Sequence, residues 1–254
     1  MPVLRRDGVR LFYEVHGAVD GRTPVLLTHG YSASSLMWQP NLPTLARTRM
    51  LITWDIRGHG RSDSPEEPEL YSQELSVGDM SAVLDAAGVE RAVVGGLSLG
   101  GYLSLAFHLR HPARVAALML FDTGPGYRRD DAREEWNRRV ERTAAAFDAQ
   151  GLGALPDRAE VAASRHWSSA GLARAARGIM AQQGTDVIES LPAIAVPTLV
   201  VVGAEDTPFL AAAGYMAAKI PGAKKVVIPG AGHAANVDQP EMFNRAVLDF
   251  LEAT

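Results

Sequence analysis

The chain has 254 residues, balances 25 Lys and Arg against 29 Asp and Glu for a net charge of −4, and is 47% hydrophobic. That size and apolar content suit one α/β domain with an insertion, and the lack of a basic stripe argues against a nucleic-acid partner. No cysteine is present, which excludes disulfides, thiolate catalysis and cysteine-ligated metal sites.

Residues 3–16 alternate around Asp7-Gly8 and read as an opening hairpin. The first residues, Met1 to Asp7, lack an apolar signal core, and no segment reaches the roughly 18 apolar residues of a membrane span. A cytoplasmic location without membrane contact is therefore the expectation. Pro24–Thr28 and Met50–Trp54 read as short apolar strands, with a helix expected over 36–47 between them. A second helix is expected over 72–88, ending at Gly88. The run 91–95 reads as a strand, and a helix follows to about His111, where Pro112 blocks continuation. Strand 115–121 comes next. Strands alternating with helices predict an α/β fold with a mostly parallel, doubly wound sheet and right-handed crossovers.

Residues 124–190 break this alternation. Trp136, Val140, Thr143/Ala144 and Phe147 recur at helical spacing after the Gly124-Pro125-Gly126 turn. Asp157-x-x-Glu160 has the form of a capping box and predicts a helix to about Trp167, with another over about 170–183. From Val196 the chain returns to strand, helix, strand and a last helix, Pro240–Leu251. The expected organisation is a core of 1–123 and 191–254, interrupted by a helical insertion of 124–190.

The most informative stretch is Val93-Val94-Gly95-Gly96-Leu97-Ser98-Leu99-Gly100-Gly101-Tyr102. It joins a β-branched run to helix-like sequence through Gly-x-Ser-x-Gly, the strand–turn–helix setting of a nucleophile elbow. A serine hydroxyl needs a base, and the base needs an orienting acid. Downstream, the strand-like Thr198–Gly203 is followed by Ala204-Glu205-Asp206, and Lys225–Pro229 by Gly230-Ala231-Gly232-His233. Both candidates thus fall on loops after strands, the edge where ligands bind in open α/β sheets. Asp122 ends the run Val115–Phe121 at the same edge and competes with Asp206 for the role of acid. Asp122 and Asp55 also read as loop caps whose carboxylates accept backbone N–H bonds. Of the seven histidines, His29 and His59 read as loop-bracing residues, and His16, His108, His111 and His166 carry no motif and read as surface or cap residues. The pair His108 and His111 lacks a third metal-ligand neighbour.

Four pieces in order carry a wider likeness. They are Leu26-Leu27-Thr28-His29-Gly30-Tyr31, Asp55-Ile56-Arg57-Gly58-His59-Gly60-Arg61-Ser62, the Ser98 elbow, and Gly232-His233 with Asp206 before it. Together they resemble the α/β-hydrolase family over nearly the whole chain. The resemblance implies a Ser98–His233–Asp206 triad, with Gly203-x-x-Asp206 favouring Asp206 over Asp122. It implies an oxyanion hole from the backbone N–H groups of Tyr31 and Leu99, and a cap over Ser98 formed by 124–190. The implied activity is hydrolysis of small carboxylic esters or lactones through an acyl-enzyme, with no metal and no organic cofactor. Carbon–carbon bond hydrolases and cofactor-free perhydrolases share such a triad. Some members keep it as ligand sensors or signalling proteins, so these readings stay open. Oligomeric state is not legible in the sequence.

Overall fold

Apolar runs too short to hide both faces alone assemble side by side into one eight-stranded sheet in the computed structural model, which describes residues 3–18 and 21–254. The strands are β1 (Val3–Arg6), β2 (Val9–His16), β3 (Val25–Thr28), β4 (Leu51–Trp54), β5 (Ala92–Leu97), β6 (Val115–Phe121), β7 (Thr198–Gly203) and β8 (Lys224–Ile228). Their order across the sheet is β1-β2-β4-β3-β5-β6-β7-β8. β2 runs antiparallel to both β1 and β4, and every later pairing is parallel. The expected hairpin and the mostly parallel sheet are therefore both present. Met1 and Pro2, at the start of the stretch read for a signal core, lie outside the described residues.

Among the described residues ten α-helical segments accompany the sheet: α1 (Leu42–Leu45), α2 (Gln73–Ala86), α3 (Leu99–Arg110), α4 (Asp130–Gln150), α5 (Ala159–Ala162), α6 (Ser169–Ala175), α7 (Asp186–Ser190), α8 (Thr207–Lys219), α9 (Ala235–Asp238) and α10 (Pro240–Glu252). Side-chain alternation divides the core into two layers. Along β6, Leu118 and Leu120 join a cluster with Met80 and Val83 of α2, Leu103 and Phe107 of α3, and Met216 of α8. Ala117, Met119 and Phe121 face the other way, toward Trp38 and the Phe243, Val247 and Leu251 stripe of α10. Parallel strands buried on both faces are near-continuous apolar runs, and β3, β5 and β7 are buried at every position with a threonine only at one end of β3 and of β7.

Three expected helices are shorter or differently wound. In place of one helix over 36–47 there is a 3₁₀ turn, Ser35–Trp38, and the single turn α1. Pro40 and Pro43 remove two backbone donors from that span. The helix expected from Asp157 to about Trp167 shrinks to α5. Its N-cap is Arg158, and no side chain caps it. The last expected helix of the insertion becomes α6 followed by a π-helical turn, Ala176–Met180. There Gly178 lies so close to Tyr71 that a Cβ would overlap the Tyr71 carbonyl, so tertiary contact sets the winding. Among the described residues, no helix is long and apolar enough to cross a membrane.

The loop after β4 is anchored by a buried charge cluster. Arg57 donates to Asp79 of α2 through Nε and Nη2, both at 2.7 Å, and neither side chain is exposed. Arg6 adds a third bond to Asp79 Oδ1 at 2.8 Å. A bidentate geometry offsets the desolvation of both ions, but either one alone is costly to bury. Asp79→Ala is expected to reduce folding stability by about 3–5 kcal/mol, measured by urea denaturation. A loss below about 1 kcal/mol, the range of a solvated pair, would contradict this account.

Candidate active site

The β5–α3 turn is forced tight by its neighbours. A Cβ on Gly96 would stand 2.5 Å from the Thr28 carbonyl oxygen, and one on Gly100 would overlap that same carbonyl. Only glycine permits this approach. Between them Ser98 is held at φ +54° and ψ −114°, a conformation costing roughly 1–3 kcal/mol for a side-chain-bearing residue. Three bonds hold the strain in place. Ser98 N–H donates to Phe121 O at 2.9 Å, and Ser98 O accepts from Tyr102 N–H at 3.1 Å and Thr123 Oγ1 at 2.6 Å.

Asp206 and His233 come together at the carboxyl edge of the same sheet. His233 Nδ1 lies 2.8 Å from Asp206 Oδ2, and Asp206 is buried. Phe209 packs against the imidazole, with ring centroids 4.9 Å apart. The loop carrying His233 runs back across the edge from β8. Its Ala231 carbonyl accepts from Glu205 N–H at 2.9 Å, and Asn236 Nδ2 donates to Met37 O at 3.0 Å beyond β3. Asn41 completes this anchor, donating to Asn236 O at 3.0 Å and Asn244 Oδ1 at 2.9 Å. Among the described residues Ser98 Oγ makes no hydrogen bond to His233. Such bonds are commonly long without substrate and tighten in the Michaelis complex.

Gly30 brings the loop after β3 alongside the elbow, where an added Cβ would stand 3.5 Å from Ser98 Cβ. The Tyr31 N–H follows directly, and Leu99 N–H opens helix α3. Neither donates to a protein acceptor among the described residues. Two unpartnered donors beside a serine are suited to an oxyanion.

Asp122, the competing acid, meets a different set of partners. It is fully buried, and its Oδ1 accepts from Gly203 N–H at 2.8 Å. Its Oδ2 lacks a well-formed hydrogen bond, with the Asp206 carboxylate and the Ala235 N–H nearby. Burial pushes its carboxyl up to about 8, and the Asp206 charge adds to that shift. Asp55 caps its loop through both oxygens, accepting from Ser35 N–H at 2.7 Å and Arg61 N–H at 2.8 Å.

The histidines without an assigned chemistry brace the loops. His29 Nε2 accepts from Ile56 N–H at 3.0 Å, which leaves the proton on Nδ1 to donate to Gly30 O at 2.7 Å. The His29 and His59 rings meet at a tilt with centroids 5.2 Å apart, and His59 and His166 meet edge to face at 5.9 Å. Burial holds His29 down to about 4 and His59 well below its ordinary value. His166 is the residue that motif reading passed over. It is buried, and its only sequence signal is its place among the helices of the insertion. His108 is buried too, rather than part of a surface pair. Among the described residues no group of three or more His, Asp or Glu could hold a metal ion. A cleft of about 360 Å³ lies between α2, α3 and residues 178–187, and none of Ser98, Asp206 or His233 lines it.

Residues 23–172 match the family model described as alpha/beta hydrolase fold. A relative from Caulobacter segnis, RutD, named for carbamate hydrolysis, is 31% identical across 97% of this chain and 97% of its own. The solved enol-lactonase of Burkholderia xenovorans LB400 is 25% identical with a TM-score of 0.80, covering 99% of this chain and 100% of that one. A thermophilic esterase from Thermogutta terrifontis is 29% identical, also at 0.80, covering 99% and 96%.

The raised Asp122 carboxyl has a signed consequence. Its folded state keeps a proton that an unfolded carboxyl releases above about 3.8, so its stabilising contribution is present below about pH 4 and is lost as pH rises toward 8. Asp122→Asn mimics the protonated carboxyl and does not titrate. The variant is expected to gain stability relative to the parent across that window, read as a growing difference in Tm. A difference independent of pH would show that Asp122 is ionised in the folded protein.

Proposed function

The chain belongs to the alpha/beta hydrolase fold family, and from that premise we propose that it is a serine hydrolase cleaving small carboxylic esters or lactones through an acyl-enzyme. The observation carrying this reading is the 2.8 Å His233–Asp206 pair, in a loop that crosses the edge where Ser98 is held in its strained turn. His233 Nε2 takes the Ser98 proton as Oγ attacks the substrate carbonyl carbon. The carbonyl electron pair moves to oxygen, and the resulting anion is held by the N–H groups of Tyr31 and Leu99. His233 then gives its proton to the departing alkoxide as the acyl–oxygen bond breaks. In the second half His233 deprotonates water as its oxygen attacks the acyl carbon, then returns that proton to Ser98 Oγ as the acyl–Oγ bond breaks and the acid leaves. Asp206 accepts from Nδ1–H throughout, fixing the tautomer and stabilising the imidazolium.

Ser98→Ala is expected to fold normally and to lose about 10⁶-fold in kcat. A fluorophosphonate probe should label the parent and not the variant. Asp206→Asn should cost about 10⁴-fold through the wrong tautomer, and Asp122→Asn far less. A larger loss at Asp122 would move the acid to the end of β6.

The helices of 124–190 are proposed to cap the site and restrict it to compact acyl groups. Tyr31 supports this, since its Oη donates to Leu172 O of α6 at 2.8 Å and its ring meets Phe147 of α4 at 6.3 Å. Each further buried methylene returns only about 0.8 kcal/mol, which an enclosed site loses again to overlap. Among p-nitrophenyl esters from acetate to palmitate, kcat/KM should peak at the short end. A γ-lactone and an aryl carbamate belong in the same panel, because one relative is named for carbamates and the acylation step is shared. A maximum at palmitate, or activation by a lipid interface, would refute the enclosed site.

A further inference from the structure

The turn Gly30-Tyr31-Ser32 is held by two imidazoles that arrive from different parts of the chain. His29 donates to the Gly30 carbonyl and accepts from Ile56 N–H, joining the loop after β3 to the loop after β4. His166 repeats the arrangement from the insertion. Its Nδ1 accepts from Gly60 N–H at 3.0 Å, and its Nε2 stands 2.9 Å from Ser32 O. With Nδ1 accepting, Nε2 carries the proton and donates to the Ser32 carbonyl. The ring is therefore neutral, in keeping with burial holding its pKa down. Ser32 needs such support, because it has φ +56°, a left-handed conformation that a side chain disfavours. The His166 ring lies 106 residues from Gly60 and 134 from Ser32, so the contact is wholly tertiary.

We propose that His166 is a positioning residue for the oxyanion hole, through which the insertion holds the Tyr31 N–H in place. This rests on the serine acyl-transfer reading above. The two carbonyls flanking Tyr31 are each tied by an imidazole N–H, one from the core and one from the insertion. Tyr31 Oη also reaches the insertion at Leu172 O, so the residue is held from both its backbone and its side chain. The insertion thus completes the oxyanion hole as well as roofing it.

Three substitutions separate positioning from bulk packing. In His166→Gln the amide nitrogen falls near the place of Nε2 and keeps the bond to Ser32 O. In His166→Asn the shorter amide reaches Gly60 N–H but not Ser32. His166→Ala keeps neither. The expected result is a fall in kcat of about ten- to a hundredfold for Ala and Asn with KM little changed, and near-parental kcat for Gln. A trifluoromethyl ketone analogue of the best ester, which forms a tetrahedral adduct on the serine, should lose affinity by the same factor as kcat in Ala and Asn. If Ala does not fold, Gln against Asn still decides. Equal kcat and equal ketone affinity in Gln and Asn, or a loss confined to KM, would overturn the proposal. Failure of the serine reading looks different: the parent would then bind no ketone adduct, and Ser98→Ala would remain active.

Discussion

The close crossing of the β5–α3 turn beneath the Thr28 and His29 carbonyls is the constraint on which the rest of the site depends. Glycines at 96 and 100 allow an approach that any Cβ would block. The approach in turn leaves Ser98 in a left-handed conformation with Leu99 N–H at the free end of a helix, where a negative charge is stabilised. Because Gly30 packs against the same turn, the loop that carries Tyr31 is brought alongside Ser98 by the same contact.

Around this crossing the protein uses buried neutral imidazoles where backbone loops lack ladder partners. Loops at a sheet edge have carbonyl and N–H groups that secondary structure does not satisfy, and burying them unpaired costs a full desolvation penalty. A neutral histidine is well suited to this because it donates on one nitrogen and accepts on the other. His29 and His166 each bridge one carbonyl after β3 to one N–H after β4. The tighter anchor below them is ionic, with Arg57 and Asp79 fixing the same β4 loop onto α2.

The relatives are named for an ester, a lactone and a carbamate, and all three substrates pass through a tetrahedral carbon bearing an oxyanion. The shared fold explains the shared step and leaves the leaving group to side chains over the site. In this chain Tyr31 is tied to the insertion through the Leu172 carbonyl, and Phe209 packs on the His233 ring.

Local pattern was enough for the sheet, the elbow and the order of the candidate residues. Buried parallel strands require continuous apolar runs, and Gly-x-Ser-x-Gly between a strand and a helix has few other uses, so both are written in consecutive residues. Asp206 and His233 were legible as residues on loops after strands, but their 2.8 Å contact arises from a loop pinned far away by Asn41 and Asn244. The insertion was legible as helical and misread in detail, because Gly178 against Tyr71 and His166 against two distant loops override local propensity. Gly203-x-x-Asp206 favours Asp206 over Asp122 in the sequence, but a carboxylate after a strand carries no local sign of which side chains it will meet. The folded chain puts Asp206 against His233 and buries Asp122 against Gly203 N–H, and both contacts join residues that meet only when the chain is folded.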